Sequence, residues 1–213
     1  MMSALITVLL VDDHAVVREG YRRLLERDAA IQVIGEAANS VEAYERAAAL
    51  EPQVIVMDIA LPGVSGIEAM RRILARRPQQ CVLMFSMYDD AIFPSRALEA
   101  GARGYVSKAS APEVLVDAIS AVARGERYLS PDVQKLIAQH TSTEAKAAVN
   151  TLTAREFEVL RLLAQGETVK HIGEKLGLSE KTVANHQSAI REKLGARNGV
   201  QLARVAAELG LSV

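Results

Sequence analysis

The sequence predicts a doubly wound α/β domain built on a five-stranded parallel sheet, followed by an all-α domain of four helices that contains a helix-turn-helix. Three observations lead there. Up to about residue 123, short apolar runs such as Leu5-Ile6-Thr7-Val8-Leu9-Leu10-Val11 and Val54-Ile55-Val56-Met57 alternate with amphipathic stretches at helical spacing, and this alternation calls for a parallel sheet with right-handed crossovers. Several of the apolar runs stop on a polar or charged residue and a turn, as Val56-Met57-Asp58 does before Leu61-Pro62-Gly63. In an open α/β sheet those strand ends are where ligands bind. From residue 151 onward strand patterns vanish, and capped amphipathic segments follow one another.

The first strand, Leu5 to Val11, ends at Asp12 and Asp13. Behind His14 a helix carries Val16, Val17, Tyr21, Leu24 and Leu25 on its apolar side and Arg18, Arg22, Arg23 and Glu26 on the other. Ile31 to Ala37 alternates as a second strand, and Val41 to Leu50 is an alanine-rich helix with Ser40 as its N-cap. Val54 to Asp58 is a third strand whose unbroken apolarity suits burial on both faces. Ile67, Met70, Ile73 and Leu74 mark a helix behind Gly66. Val82 to Phe85 is a fourth strand ending on Ser86, and Pro94 to Ala100 a short helix stopped by Gly101. Gly104-Tyr105-Val106 is a brief fifth strand that ends at Lys108, and Pro112 opens a helix through Leu115, Ile119 and Val122.

Residues 124–150 read as a linker. Pro131 opens a short helix through Val133, Leu136 and Ile137, after which 140–146 are polar with no core face. The expected boundaries are 5–123 for the α/β domain, 124–150 for the linker and 151–213 for the helical domain. In the last of these, Thr153 caps a helix with Glu156 at the capping-box position. Phe157, Leu160 and Leu163 form its apolar side and Gly166 ends it. Val169, Ile172 and Leu176 mark a short helix and Gly177-Leu178 a turn. Ser179 then caps a helix carrying Val183, Ile190 and Leu194, which completes a helix-turn-helix pattern. A last helix presents Leu202, Val205, Ala206 and Leu209.

Of the 213 residues 50% are hydrophobic and 24% charged, an ordinary globular balance. No hydrophobic run is long enough to span a bilayer, and no leader-like segment opens the chain, so a cytoplasmic protein without a membrane partner is expected. The single cysteine, Cys81, sits in an apolar run and reads as a small hydrophobe. Residues 1–150 hold 16 basic and 19 acidic side chains, net −3, and residues 151–213 hold 9 and 7, net +2. That balance is too mild to announce nucleic acid by electrostatics alone.

Asp12, Asp13, Asp58, Ser86 and Lys108 all fall at strand ends, on one edge of the expected sheet. Three crowded carboxylates need a cation, and an all-oxygen set suits Mg²⁺. A lysine and a hydroxyl opposite them suit a phosphoryl group, which Asp58 can take up as an acyl phosphate. Taken singly, each of these residues reads as well as a turn or strand-end residue. Together with Leu61-Pro62-Gly63 and Gly104-Tyr105-Val106-Ser107-Lys108, the set resembles the receiver domain of two-component response regulators over residues 5 to about 123. The resemblance implies that Asp58 is the phosphoacceptor and that Asp13, Asp58 and the carbonyl of Ala60 hold the metal, with Asp12 acting through a water. It implies further that Lys108 pairs with the phosphoryl group and that Ser86 and Tyr105 form the switch pair. A haloacid-dehalogenase-like phosphatase also uses an aspartate after a buried strand, but it needs a second acid where Ala60 stands. A P-loop and a GxGxxG are likewise absent. No enzyme is expected.

The segment from Leu152-Thr153-Ala154-Arg155-Glu156 through Gly166, Ile172, Leu178-Ser179, Thr182-Val183, His186 and Lys193-Leu194 resembles the LuxR-type helix-turn-helix. A receiver joined to it is the NarL/FixJ class. Phe93-Pro94, Gly104 to Lys108 and Gly125-Glu126-Arg127-Tyr128-Leu129 are most similar to its GacA/UvrY-like branch. Helical spacing turns Val183, Ile190 and Leu194 inward and Lys181, Asn185, Ser188 and Glu192 outward, with Ala184 and Arg191 beside them. The candidate DNA contacts are therefore Lys181, Thr182, Asn185, Ser188 and Arg191: asparagine can read adenine, and the two cations can hold phosphates. His186 falls on the inner flank. Many relatives carry lysine at Ala184, asparagine at Val169 and arginine at Gly199, so a weaker monomeric grip on DNA is expected here. Leu202, Val205 and Leu209 are the candidate dimer contacts. The resemblance implies a transcription factor switched by a sensor histidine kinase, with acetyl phosphate as the only small-molecule donor, binding promoter DNA as a homodimer. An alternative is a constitutive DNA-binding protein whose receiver is a dimer scaffold.

Overall fold

The computed structural model describes residues 5–62, 64–87, 92–139 and 151–208. The chain divides into two units, Met1–His140 and Thr141–Val213. The first contains strands β1 (Ile6–Val11), β2 (Ile31–Ala37), β3 (Val54–Met57), β4 (Cys81–Ser86), β5 (Gly104–Ser107) and β6 (Tyr128–Leu129). Between and after them run helices α1 (Ala15–Leu25), α2 (Ser40–Leu50), α3 (Gly66–Arg76), α4 (Ile92–Glu99), α5 (Pro112–Ala123) and α6 (Pro131–Gln139). The strands form one parallel sheet in the order β2-β1-β3-β4-β5-β6. From β1 the chain moves outward to β2 and then crosses back to β3 on the other side. The reversal opens a crevice between the carboxyl ends of β1 and β3.

Both faces of the sheet are covered, which is why its central strands are apolar without alternation. On one face Val8, Leu10, Val54, Val56, Leu83, Phe85 and Val106 pack with Leu25 of α1 and with Leu115, Ile119 and Val122 of α5. Their neighbours Leu9, Ile55, Met57, Met84 and Tyr105 point the other way and are equally buried.

The sheet has six strands where five were expected. β6 is two residues long, too short to leave a periodic signal, and it pairs through Gly104 and Tyr105. A Cβ on Gly104 would stand 2.6 Å from the Tyr128 carbonyl, so glycine is what lets this last strand close in. Residues 124–139 of the expected linker thus attach to the sheet, with Val133 of α6 buried; 140–150 lie outside the described residues, as does Gly63. Three local expectations also change. The cap of α2 is Asn39, whose side chain accepts from the Val41 and Glu42 amides at 3.1 and 2.9 Å, and not Ser40, which is already helical. Helix α4 begins at Ile92, two residues before Pro94, because Ile92 and Phe93 enter the core and proline is tolerated in a first turn. On α1, Val16 is 87% exposed while the Arg18 side chain is only 14% exposed, the reverse of the predicted faces.

The second unit comprises α7 (Ala154–Ala164), α8 (Val169–Leu176), α9 (Glu180–Lys193) and α10 (Gly199–Glu208). Thr153 and Glu156 form the expected capping box, and Thr168 and Ser179 cap the next two helices. Phe157, Leu160, Ile172, Val183, Ile190, Leu202 and Ala206 make the core. Gly177 takes a left-handed conformation, φ 63°, between α8 and α9. A Cβ on Gly173 would lie 2.7 Å from the Leu178 carbonyl, so the tight helix-turn-helix depends on glycine at that position too. Leu202, a candidate dimer contact, is corrected: it is 4% exposed because the small domain needs it for its own core. Val205 is half-buried, and Leu209 lies outside the described residues. Among the described residues no helix is long and apolar enough to cross a membrane.

Candidate functional site

The acidic edge is built by backbone bonds that carry the strand ladder slightly past the strands. The Asp12 amide donates to the Ala37 carbonyl at 3.0 Å, the Asp58 amide to Val11 at 2.9 Å and the Lys108 amide to Ser86 at 2.9 Å. Each link fixes the residue just beyond one strand to the end of a neighbour, so side chains far apart in sequence converge without any loop having to find them. Gly66 tightens the same edge. Its amide donates to the Ile59 carbonyl at 2.9 Å, and a Cβ there would fall 1.9 Å from the Asp58 carbonyl oxygen. No other residue lets α3 start so close to the Asp58 backbone.

Lys108 joins the two buried acids. Its Nζ lies 2.5 Å from Asp12 Oδ2 and 2.5 Å from Asp58 Oδ2. Ser86 Oγ donates to Asp58 Oδ1 at 2.9 Å, and the Ala60 amide donates to the same oxygen at 3.2 Å. Burial alone would lower the lysine's pKa, but the attraction of Asp58 and the bonds to both carboxylates outweigh it, so the ammonium is held above its ordinary range. Asp13 is more exposed and meets His14, whose Nδ1 lies 2.7 Å from Asp13 Oδ1 and 3.4 Å from Asp12 Oδ1. Tyr105 is wholly buried on the strand beside Ser86. A cleft of about 620 Å³ opens over Asp58, Ala60, Ser86 and Lys108, with Val17, Gly20 and Tyr21 of α1 and Met87 as its apolar wall. The carboxylates of Asp12 and Asp13 stand together beside His14, Asp58 lines the cleft, and the one ammonium of Lys108 bridges Asp12 to Asp58, so three hard oxygen donors share a single compensating cation. That donor set fits Mg²⁺. His14 and Arg18, which donates to the Asp12 carbonyl at 2.5 Å, escaped the sequence reading: the first is merely adjacent to the acids, and the second falls on a face read as solvent-exposed.

On α9, Lys181, Asn185, Ser188 and Glu192 are exposed and Val183 and Ile190 buried, as spacing requires. Two of the candidate DNA contacts carry local bonds as well. The Thr182 hydroxyl meets Ser179 Oγ at 2.7 Å, and Ser188 Oγ donates to the Ala184 carbonyl at 3.1 Å. Arg191 is half-buried with its Nε sealed from solvent, so only the tip of its guanidinium can serve an outer face. The sequence reading missed Lys193, which donates to both oxygens of Glu156 at 2.9 and 2.7 Å and so ties the end of α9 to the start of α7. It also missed Arg155, which pairs with Glu158 at 2.7 Å and donates to the Leu176 carbonyl at 2.6 Å, holding the end of α8.

Carboxylates gathered at the switch point of a parallel sheet and bridged by a strand-end lysine define a phosphoryl-receiving signalling domain, and a helix-turn-helix downstream makes its output DNA binding. The comparisons with known proteins agree. Residues 8–120 match the response regulator receiver domain, and residues 150–206 match the luxR family of bacterial regulatory proteins. The chain is 35% identical over 209 residues to the response regulator UvrY of Escherichia coli O6:H1, covering 97% of this chain and 96% of that one. It is likewise 35% identical to the response regulator GacA of Pseudomonas aeruginosa, covering 97% and 98%. A structure of RcsB from Salmonella enterica serovar Typhimurium, bound to promoter P1flhDC in the presence of the phosphomimetic BeF3-, aligns with a TM-score of 0.63 at 28% identity, covering 95% of this chain and 98% of that one. The chain belongs to the two-component response regulators with a LuxR-type DNA-binding domain and is closely related to UvrY and GacA. The family is one of phosphorylation-activated transcription factors and not of catalytic enzymes.

Proposed function

We propose that Asp58 is the phosphoacceptor of this regulator, that a sensor histidine kinase is its donor, and that the phosphorylated chain binds promoter DNA as a dimer in the cytoplasm. The observation that carries this reading is the single ammonium of Lys108 shared between Asp12 and Asp58. It marks one buried position where negative charge is gathered, compensated and open to a cleft. In the transfer, an oxygen of Asp58 forms a bond to phosphorus as the bond from phosphorus to the donor's imidazole nitrogen breaks, and the electron pair leaves with the nitrogen. Asp13, Asp58 and the Ala60 carbonyl would hold Mg²⁺, with Asp12 acting through a water; when bound, the ion neutralises phosphoryl oxygens. Lys108 turns from the Asp58 carboxylate to the phosphoryl group. Ser86, which already donates to Asp58, follows it, and Tyr105 moves on the adjacent strand. The resulting change in the face of α4 and β5 biases the chain toward the dimer. The receiver is taken as 5–123 with β6 and α6 added to its edge, the linker as what remains up to residue 150, and the DNA-binding domain as 151–213. Lys181 and Arg191 then hold phosphates, Asn185 reads a base with Ser188 beside it in the groove, Thr182 meets the backbone, and Val205 and Leu209 remain as dimer contacts.

The test is a mass spectrum of the full chain after incubation with Mg²⁺ and acetyl phosphate, and again with the cognate kinase and ATP. One phosphoryl adduct is expected, absent in Asp58→Asn. An adduct of equal yield in Asp58→Asn, or none in the wild type with the kinase, overturns the assignment.

A further inference from the structure

We infer that Arg18 is a positioning residue for the acidic turn, holding the backbone of Asp12 so that Asp12 and Asp13 present their carboxylates to a divalent cation. The inference rests on the reading of Asp12, Asp13 and Asp58 as the Mg²⁺ site. Arg18 stands on α1 with its side chain 14% exposed. Its Nη1 donates to the Asp12 carbonyl oxygen at 2.5 Å, and its Nε donates to Glu36 Oε2 on β2 at 3.2 Å. The Asp12 amide is meanwhile bonded to Ala37, the next residue of β2, at 3.0 Å. Both peptide groups of Asp12 are therefore anchored, one directly to β2 and the other through Arg18 and Glu36 to the same strand.

The chemistry requires this kind of anchor. Asp12 and Asp13 are adjacent like charges, and a turn carrying them is driven to splay unless its backbone is held. A guanidinium can reach two acceptors on different elements with one rigid plane, whereas the lysine ammonium is a point charge on a flexible stem. A positive group over the Asp12 carbonyl also offsets the repulsion without occupying either carboxylate. Groups that orient metal ligands from behind typically change metal affinity by about 10- to 100-fold when removed.

Arg22 supplies an internal comparison. It donates to the other oxygen of Glu36 at 3.0 Å and, among the described residues, makes no hydrogen bond or ion pair with the acidic turn. If Arg18 acted only by tying α1 to β2, Arg22 would share its role; a positioning function belongs to Arg18 alone.

The experiment titrates the full-length wild type, Arg18→Met, Arg18→Lys and Arg22→Met with Mn²⁺, reading free Mn²⁺ by electron paramagnetic resonance and adding Mg²⁺ as competitor. Thermal unfolding of each is recorded in EDTA. Arg18→Met is expected to weaken Mn²⁺ binding about tenfold, Arg18→Lys to leave the loss uncorrected, and Arg22→Met to bind as the wild type does while showing a similar melting temperature to Arg18→Met in EDTA. Should Arg18→Met fail to fold, Glu36→Gln, which loosens the same chain of bonds more gently, is expected to weaken binding several-fold. Wild-type affinity in Arg18→Met, or an equal loss in Arg22→Met, overturns the inference. Failure of the wild type itself to bind Mn²⁺ overturns the metal-site reading beneath it, so the two failures are distinguishable.

Discussion

Lys108 holds together two carboxylates that could not otherwise stay buried side by side: the three side chains are 8%, 8% and 5% exposed for Lys108, Asp12 and Asp58. Removing one partner of a buried pair leaves uncompensated charge and costs about 3–5 kcal/mol. Lys108→Met is therefore expected to lose about 3 kcal/mol in EDTA, with part of that loss recovered on adding Mg²⁺, since a divalent cation supplies the missing charge. Urea unfolding with and without the metal checks it, and equal stability in EDTA would show that the acids do not depend on the ammonium. The lysine's own contribution to the pH dependence falls on the alkaline side. Because the folded-state pKa is raised, the stabilisation is complete below the unfolded value near 10.4 and is lost as pH rises through the folded one.

Helix α9 is held at its far end by a bond that titrates and is flanked by a base that does. Burial pushes the Glu156 carboxyl upward, but Lys193 and the Thr153 amide outweigh it, so its pKa is lowered. His186 is lowered mainly by burial, with Glu156 opposing and Arg155 and Lys193 adding to the fall. The signs place the two effects in different windows. A depressed base binds its proton more readily in the unfolded chain, so the contribution of His186 is complete above about pH 6.5 and declines as pH falls below it. That of Glu156 is complete above the usual carboxyl range and is lost only in more acidic solution. Urea unfolding of the full chain, followed at NMR resonances of α9, is expected to show a midpoint that falls between pH 7 and pH 5.5. His186→Gln flattens that fall; an unchanged pH dependence in the variant would remove His186 from the account.

At the scale of the molecule the DNA-binding unit has few cations to spare. Lys175 is paired with Glu167, Lys193 with Glu156 and Arg155 with Glu158. Lys170, Lys181 and Arg197 are exposed and make no ion pair among the described residues. Each phosphate neutralised contributes about −0.9 to the slope of log affinity against log salt. With the guanidinium tip of Arg191 added to these three, a slope of about −3 to −4 per bound copy is therefore expected for promoter DNA, measured by fluorescence anisotropy over a salt series. A slope steeper than about −5 per copy would mean that the cations now in ion pairs are released to DNA.

Much of the chain was legible from residues that act on their neighbours in sequence. Strand runs, the capping box at Thr153 and Glu156, the cap at Ser179 and the turn at Gly177 are local, and the run of acids and lysine at successive strand ends follows from parallel topology once the strands are recognised. What could not be read depends on partners brought close only by folding. Gly104 admits β6, Arg18 turns inward because Glu36 lies on the adjacent strand, Lys193 finds Glu156 across 37 residues, and Leu202 is drawn into a core too small to do without it. The sequence by itself determined which groups stand at the strand ends and that a helix-turn-helix follows. Only the tertiary structure decided how those groups share their charges, because the bonds that do so run between strands and helices whose pairing leaves no periodic trace.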